Sequence, residues 1–479
     1  MDLRNFGRRG FMAGGLFAGL MAYAPRSLAE ALGYPRSLQG PMVGAPGPNH
    51  FTIWVRASGA FDVLLEYASD REFTDVKRTA PVRATAEGDF CVHLRAEGLQ
   101  PGRTYWYRLR FDGKLDRYQP LPFRTRTAPA GPADFRVVYG SCCRSQFDME
   151  QRIFSVAQAL EPDMFFWLGD NIYADSDSPD ALADLYRRQR GVDRLQGLIR
   201  STPQLATWDD HDFGFNDSDG TNPIKGEALR LFNSWWANPR HAENGDPGIY
   251  FKQSYGGVDF FFTDGRYHRS PSKAPDGPGK TMLGATQLRW LKDELKRSKA
   301  VFKVLVSGGG WSSAEAADGG DSWAVYQRER DEIFDFIRDQ NIEGVFCISG
   351  DSHMGELNCI PRSEAGGYDI YDMVSSPLAQ MPAAKYDQVP EMRVRELWTR
   401  SVNVGVLTFT MKPTPKMTFT LHDIMGAPVW DPLVLTPADL RNGVKSWDRL
   451  ADPEELERLN RWKTGGGYYG PSRPGVAGA

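Results

Sequence analysis

Hydrophobic positions fall into two patterns along the chain, and the change between them marks its main division. From about residue 39 to 126 they come in short runs rich in β-branched and aromatic residues: "HFTIWVRA", "DVLLEYAS", "FCVHLRAEGL" and "TYWYRLRFDG". Gly, Pro, Asp and Asn separate these runs at regular intervals, which predicts a small sandwich of immunoglobulin or fibronectin type over residues 39–126. Cys91 and His93 share one such strand and read as structural residues. The Pro- and Ala-rich stretch "RTRTAPAGPAD" follows as a linker.

Beyond it the runs become continuously apolar, and each stops at small or ionisable residues. "FRVVYGSCCRS", "DMFFWLGDNIYADS", "QLATWDDHDFGFND", "KVLVSGGGWSS" and "GVFCISGDSHMGE" all follow this plan. Helical spacing appears between them, in "MEQRIFSVAQALEP", "GATQLRWLKDELKRS" and "YQRERDEIFDFIRDQ". Alternating buried strands and helices predict an α/β core over residues 134–445, with its chemistry outside the carboxyl ends of the strands. Residues 446–479 read as a helix followed by a flexible tail.

The first 29 residues belong to neither pattern. Arg8 and Arg9 precede a short, glycine-rich apolar segment, with Ser27-Leu28-Ala29 as a cleavage motif. This is the form of a twin-arginine export signal, so the twin-arginine machinery is the expected partner and the mature chain is expected to be periplasmic or secreted. No later segment reaches membrane-spanning length.

Composition narrows the choices further. A formal charge of −4 leaves no excess of Lys and Arg for neutralising phosphates, which argues against stable nucleic-acid binding. Five cysteines, at positions 91, 142, 143, 347 and 359, are too few and too irregular for a disulfide framework. The strand ends instead collect Cys142, Cys143, Asp170, Tyr173, Asp210, His211, Asp212, Asp351 and His353. Carboxylates gathered on one edge repel one another without a cation, so a metal site is the leading inference. Asp351 and His353 lie two apart, and in an extended conformation their side chains face the same way.

The order of motifs, "GSCC" at 140–143, "GDNIY" at 169–173, "WDDHD" at 208–212 and "GDSH" at 350–353, resembles the alkaline phosphatase D (PhoD-like) family of calcineurin-like metallophosphoesterases. The resemblance implies a β-sandwich flanked by helices in four layers, αββα, behind the smaller amino-terminal sandwich. It also implies a first metal, Fe3+, held by Cys142, Asp170, Tyr173 and His353. A thiolate and a phenolate near neutral pH call for a strongly Lewis-acidic ion. The second metal would share Asp170 and add Asp210 and Asp351, an all-oxygen set suited to Ca2+, with Mg2+ or Mn2+ behind it. His211 would contact the phosphate or protonate the leaving oxygen, oriented by Asp209 or Asp212, and Arg144 would pair with a phosphate oxygen.

The implied activity is exported, metal-dependent alkaline phosphatase or phosphodiesterase chemistry, in which a metal-activated hydroxide attacks a small phosphate mono- or diester. A phospholipase D-like diesterase of the same family is the nearest alternative. From other classes, an iron oxidoreductase lacks the facial triad of two His and one carboxylate, and a non-catalytic surface or carbohydrate-binding protein would rest on the β module alone.

Overall fold

The computed structural model describes residues 34–239, 245–312, 321–383 and 392–463. The export signal expected over 1–29 and the tail beyond residue 463 lie outside the described residues.

The amino-terminal module is a sandwich of two antiparallel sheets. One sheet joins β1 (Ser37–Pro46), β2 (Phe51–Ala57) and β6 (Cys91–Ala96). The other centres on β3 (Asp62–Ala68) and β7 (Thr104–Phe111), edged by β4 (Lys77–Arg78), β5 (Val82–Arg83), β8 (Lys114–Leu115) and β9 (Phe123–Arg126). Burial alternates along β7, and Phe51, Ile53, Val63, Leu65, Leu94, Tyr107 and Leu109 form a core of their own. The other face of β2 is not solvated: Trp54 packs at 5.1 Å from the ring of Trp235, and its indole donates to the Ser234 carbonyl at 2.8 Å. Cys91 packs on this same side, which accounts for its structural role.

Two further sheets build the large domain. In the first, β10 (Phe135–Gly140), β11 (Met164–Leu168) and β12 (Gln204–Thr207) run parallel, and the antiparallel strands β20 (Asn403–Thr410), β21 (Lys416–Asp423) and β22 (Leu433–Leu435) extend the sheet beyond β10. The second has the order β13-β14-β15-β16-β18-β17-β19, using β13 (Phe251–Tyr255), β14 (Val258–Phe262), β15 (Phe302–Val306), β16 (Val345–Ser349), β17 (Gly355–Ile360), β18 (Ile370–Ser375) and β19 (Met392–Arg393). Its centre, β14-β15-β16-β18, is parallel.

Strand alternation shows how the sheets face each other. Val137, Tyr139, Phe166 and Leu168 point into the core shared with Phe260, Phe262 and Val304, where Phe166 meets Phe260 and Phe262 edge-on at 5.0 Å. Their neighbours Val138, Phe165 and Trp167 point the other way, under α1 (Ile153–Ala159), α2 (Pro179–Arg190), α3 (Gln196–Ser201) and α5 (Lys225–Trp235). A single-turn helix α4 (Asp210–Phe213) precedes α5. The second sheet is covered by α6 (Gly284–Arg297) and α7 (Gln327–Asp339), which bury Trp290, Leu291, Ile333 and Phe334. The result is the four-layer αββα arrangement. The described residues close with α8 (Trp447–Leu450) and α9 (Pro453–Lys463). Cys347 in β16 and Cys359 in β17 are both buried, and no disulfide joins them.

Candidate metal centre

Parallel strands carry their carboxyl ends to one edge, and here both sheets deliver theirs to the same place. β10 leads to Cys142, β11 to Asp170, β12 to Asp210 and His211, and β16 to Asp351 and His353. Two glycines let these ends converge. Gly169 has φ +86°, and a Cβ there would lie 2.6 Å from Cβ of Asp209. At Gly350 a Cβ would lie 2.4 Å from Ser141 and 2.8 Å from the Leu168 carbonyl. The glycine of each "GD" pair thus removes the side chain that would hold neighbouring strand ends apart.

Four of the donors at these strand ends adopt an uncommon backbone. Cys142 (φ +58°), Asp170 (+51°), Asp351 (+70°) and His353 (+56°) all sit in the left-handed region. Non-glycine residues there cost energy and cluster at functional sites. This corrects the reading of Asp351 and His353 as an extended pair facing one way, because left-handed residues break the two-residue alternation of a strand. The segment is a loop, pinned by bonds from Asp351 N to Ser141 Oγ (3.1 Å) and from His353 N to Ser376 Oγ (3.1 Å).

The side chains form two donor groups that meet at Asp170. In the first, ligand atoms of Cys142, Asp170 and His353 lie within 4.8 Å of one another. Tyr173 joins them, its hydroxyl 3.0 Å from His353 Nε2. In the second, Asp170, Asp210 and His211 are equally close. Asp170 faces both: the Cys142 thiol lies 3.5 Å from Oδ2, while the His211 amide lies 3.4 Å from Oδ1. Asp351 belongs to neither triad among the described residues; its backbone carbonyl lies 3.5 Å from Cys142 Sγ.

Electrostatics make the need for positive charge concrete. Burial, then Asp210 and Cys142, push the Asp170 carboxyl well up. Burial and the nearby Asp351 push the Cys142 thiol up to about 12, and burial followed by Asp170 raises the Tyr173 phenol. Burial, followed by His211, lowers His353 to about 4, leaving a neutral imidazole with a lone pair to offer. A thiol, a phenol, an imidazole and a carboxylate in one buried pocket fit a metal ion, which would reverse each unfavourable charge.

A third acidic group, Asp209, Asp210 and Asp321, already contains a cation. The fully buried Arg266 bonds Asp209 and Asp321 and lies 3.8 Å from Asp210. Burial opposes ionisation of Asp210, but Arg266, His211 and the hydrogen bonds from Asp217 N and Asp170 together outweigh it and hold that carboxyl down at about 2. The "TDGRYHR" stretch supplies this arginine, and neither composition nor periodicity assigns it a role.

His211 is held by a partner that the sequence reading missed. Asp209 and Asp212 spend their carboxylates on the capping box of α4, and Asp212 also accepts from Asn171 N at 3.1 Å. The His211 Nδ1 instead meets Asp175 Oδ1 at 2.5 Å. Arg144 is half-buried beside the site, its guanidinium 5.5 Å from the Tyr173 ring centre. Cys143 points away and bonds Gln151 at 3.4 Å.

Comparisons with known proteins agree with this geometry. The family model described as PhoD-like phosphatase matches residues 137–405, more than half of the chain, and the model of the PhoD-like phosphatase N-terminal domain matches residues 23–129. Alkaline phosphatase D of Bacillus subtilis (strain 168) is 26% identical over 423 residues, covering 73% of this chain and 71% of the relative. Among solved structures, that of PhoD aligns with a TM-score of 0.70 at 19% identity, covering 90% of this chain and 99% of that one. A purple acid phosphatase from yellow lupin (Lupinus luteus) seeds aligns at 0.60 and 13% identity, covering 84% of this chain and 74% of that one. These last two likenesses speak for the fold, and the family model covers the segment carrying Cys142, Asp170, Tyr173, Asp210, His211, Asp351 and His353. The chain therefore belongs to the PhoD-like phosphatases, a metallophosphoesterase by fold and by family.

Proposed function

We propose that the chain is an exported phosphoesterase that hydrolyses small phosphate mono- or diesters at a two-metal centre shared through Asp170. The observation that carries this reading is the position of Asp170, one carboxylate oxygen toward Cys142 and the other toward the Asp210 and His211 side. Cys142, Asp170, Tyr173 and His353 hold the first ion, and Fe3+ is the assignment because a raised thiol and a raised phenol yield their protons only to a strong Lewis acid. Asp170 and Asp210 hold the second, a hard ion for which Ca2+ is preferred over Mg2+ or Mn2+, with Asp351 as the further oxygen donor.

When bound, such ions supply charge for the phosphoryl oxygens and lower the pKa of water. The chain's own residues do the rest. Arg144 pairs with a phosphate oxygen from the rim of the site. Arg266 keeps Asp210 ionised and therefore ready to ligate. His211 meets the phosphoryl group or its leaving oxygen, since it lies beside both Asp170 and Asp210. Export through the twin-arginine machinery to the periplasm or medium rests on Arg8 and Arg9 before the apolar segment, and replacing both with Lys should leave the chain in the cytoplasm by fractionation.

The direct test is hydrolysis of p-nitrophenyl phosphate and its bis ester by the purified full chain, with elemental analysis and a visible spectrum of the same sample. Activity that disappears on chelation and returns with iron and calcium supports the proposal. A chain loaded with two ions that cleaves neither ester defeats it.

A further inference from the structure

The amino-terminal sandwich has a second outer face, on the sheet that does not carry Trp54, and strand register fixes which side chains it shows. Glu66 on β3 stands between Arg78 on β4 and Arg108 on β7. One row along, Ala68, Trp106 and Arg124 lie side by side, and one row the other way Leu64 neighbours Arg110. Alternation along each strand turns all of these away from the core of the sandwich. Arg71 joins them from the loop after β3, its guanidinium 5.6 Å from the Trp106 ring centre. Five arginines and an indole thus share a face four strands wide, about 14 Å across.

The charge on this face is organised and yet unbalanced. Glu66 is fully buried, and Arg78 (2.8 Å), Arg108 (2.7 Å) and Arg110 (2.7 Å) all reach it through Nε. Burial opposes its ionisation, and the three arginines outweigh that. Among the described residues Arg78 and Arg108 have no other hydrogen bond or ion pair, so their Nη groups keep their donors. Arg71 and Arg124 are exposed and pair with no acid there. Five guanidinium groups against one carboxylate leave an excess of four positive charges, on a chain whose formal total is −4. Acids return at the rim, in Asp62, which pairs with Arg83, and in Asp70, Glu72 and Asp75 of the loop after β3.

Like charges on neighbouring strands repel one another, and the sandwich itself sets only Glu66 against that repulsion. We infer that this face is a docking surface for a membrane of anionic phospholipid. Guanidinium forks match phosphate oxygens two at a time, and each arginine here that is tied to Glu66 by Nε turns its Nη edge outward. An indole among them suits the boundary between headgroups and acyl chains. The array extends in two dimensions, across four strands and along three rows, which matches the layout of headgroups better than the single file of a polymer. The opposite sheet carries the contact between Trp54 and Trp235, so docking leaves the join to the large domain intact. The inference takes no residue from the metal centre and stands apart from the phosphoesterase reading.

The test is co-sedimentation of the purified full chain with vesicles of phosphatidylcholine, alone or mixed with phosphatidylglycerol. Binding should require phosphatidylglycerol and weaken steeply as salt is added. An arginine at an anionic surface is worth about fivefold in partition, so Arg71→Ala combined with Arg124→Ala should weaken binding about 25-fold. Both residues are exposed, so the double variant should unfold at the wild-type temperature. Hydrogen exchange on vesicles should slow in the Arg71 loop and in β9. Failure to bind the anionic vesicles at low salt, equal binding to the neutral ones, or undiminished binding by the double variant would overturn the inference. So would capture by inorganic polyphosphate without binding to vesicles, which would make the face a site for soluble polyanions.

Discussion

The two halves of the centre meet the same difficulty, buried acids, with opposite solutions. Around Cys142 no ion-paired protein cation stands among the described residues, and burial keeps the thiol and the phenol of Tyr173 protonated. Around Asp210 a buried guanidinium, Arg266, is built in, and the carboxyl is held ionised. One half must therefore release protons to accept an ion, while the other is charged in advance. This difference teaches why the donors differ. Soft, weakly acidic groups suit a site that discriminates by Lewis acidity, and preformed carboxylates suit one that takes a hard ion.

The largest effect should come from removing what the halves share. Asp170→Asn leaves neither group complete and should lower phosphoester hydrolysis by about 10³-fold or more, the equivalent of several kcal/mol of lost charge stabilisation. Elemental analysis should show both ions depleted; loss of only one would break the idea that Asp170 belongs to both halves.

Next is the guanidinium. Arg266→Met strands Asp209 and Asp210 without their counter-charge and leaves Asp321 to Arg269 alone, and a broken buried ion pair costs about 3–5 kcal/mol. Urea denaturation should show that loss, and metal analysis should show the Asp210 side depleted before the Cys142 side. A variant as stable as wild type would mean that the acidic group needs no cation.

The smallest effect, and the sharpest on the contrast itself, concerns pH. A raised acid in the Cys142 half must lose its proton on binding, so iron uptake by the chelated chain should strengthen steadily as pH rises from 6 to 8. Asp210, depressed to about 2, is already ionised across that window and only the shared, raised Asp170 has a proton to give up, so calcium uptake should strengthen less with pH than iron uptake. Titration of each metal at both pH values checks this, and parallel slopes would erase the distinction.

Much of this was legible along the chain because buried strands and their ends leave a local signature. The apolar runs before Cys142, Asp170, Asp210 and Asp351 are strands β10, β11, β12 and β16, and "GATQLRWLKDELKRS" holds α6. The glycines in "GDNIY" and "GDSH" mark close approach, a local requirement that a sequence records directly. Misreading Asp351 and His353 as an extended pair followed from treating the strand as if it continued past Gly350, where the backbone turns left-handed instead.

What determined the rest was distance in sequence turned into distance in space. Strand and helix identity, the αββα architecture and the identity of the donors at the strand ends were set by short-range pattern and by the resemblance those motifs carry. Only the packed chain brought Arg266 to Asp210, 3.8 Å apart across 56 positions, and Asp175 to His211 across 36. Charge pairing inside a protein depends on which loops the sheets bring to a common edge, and no local period encodes that. For the same reason the sequence named the acids of the centre, and the tertiary structure decided which of them are charged.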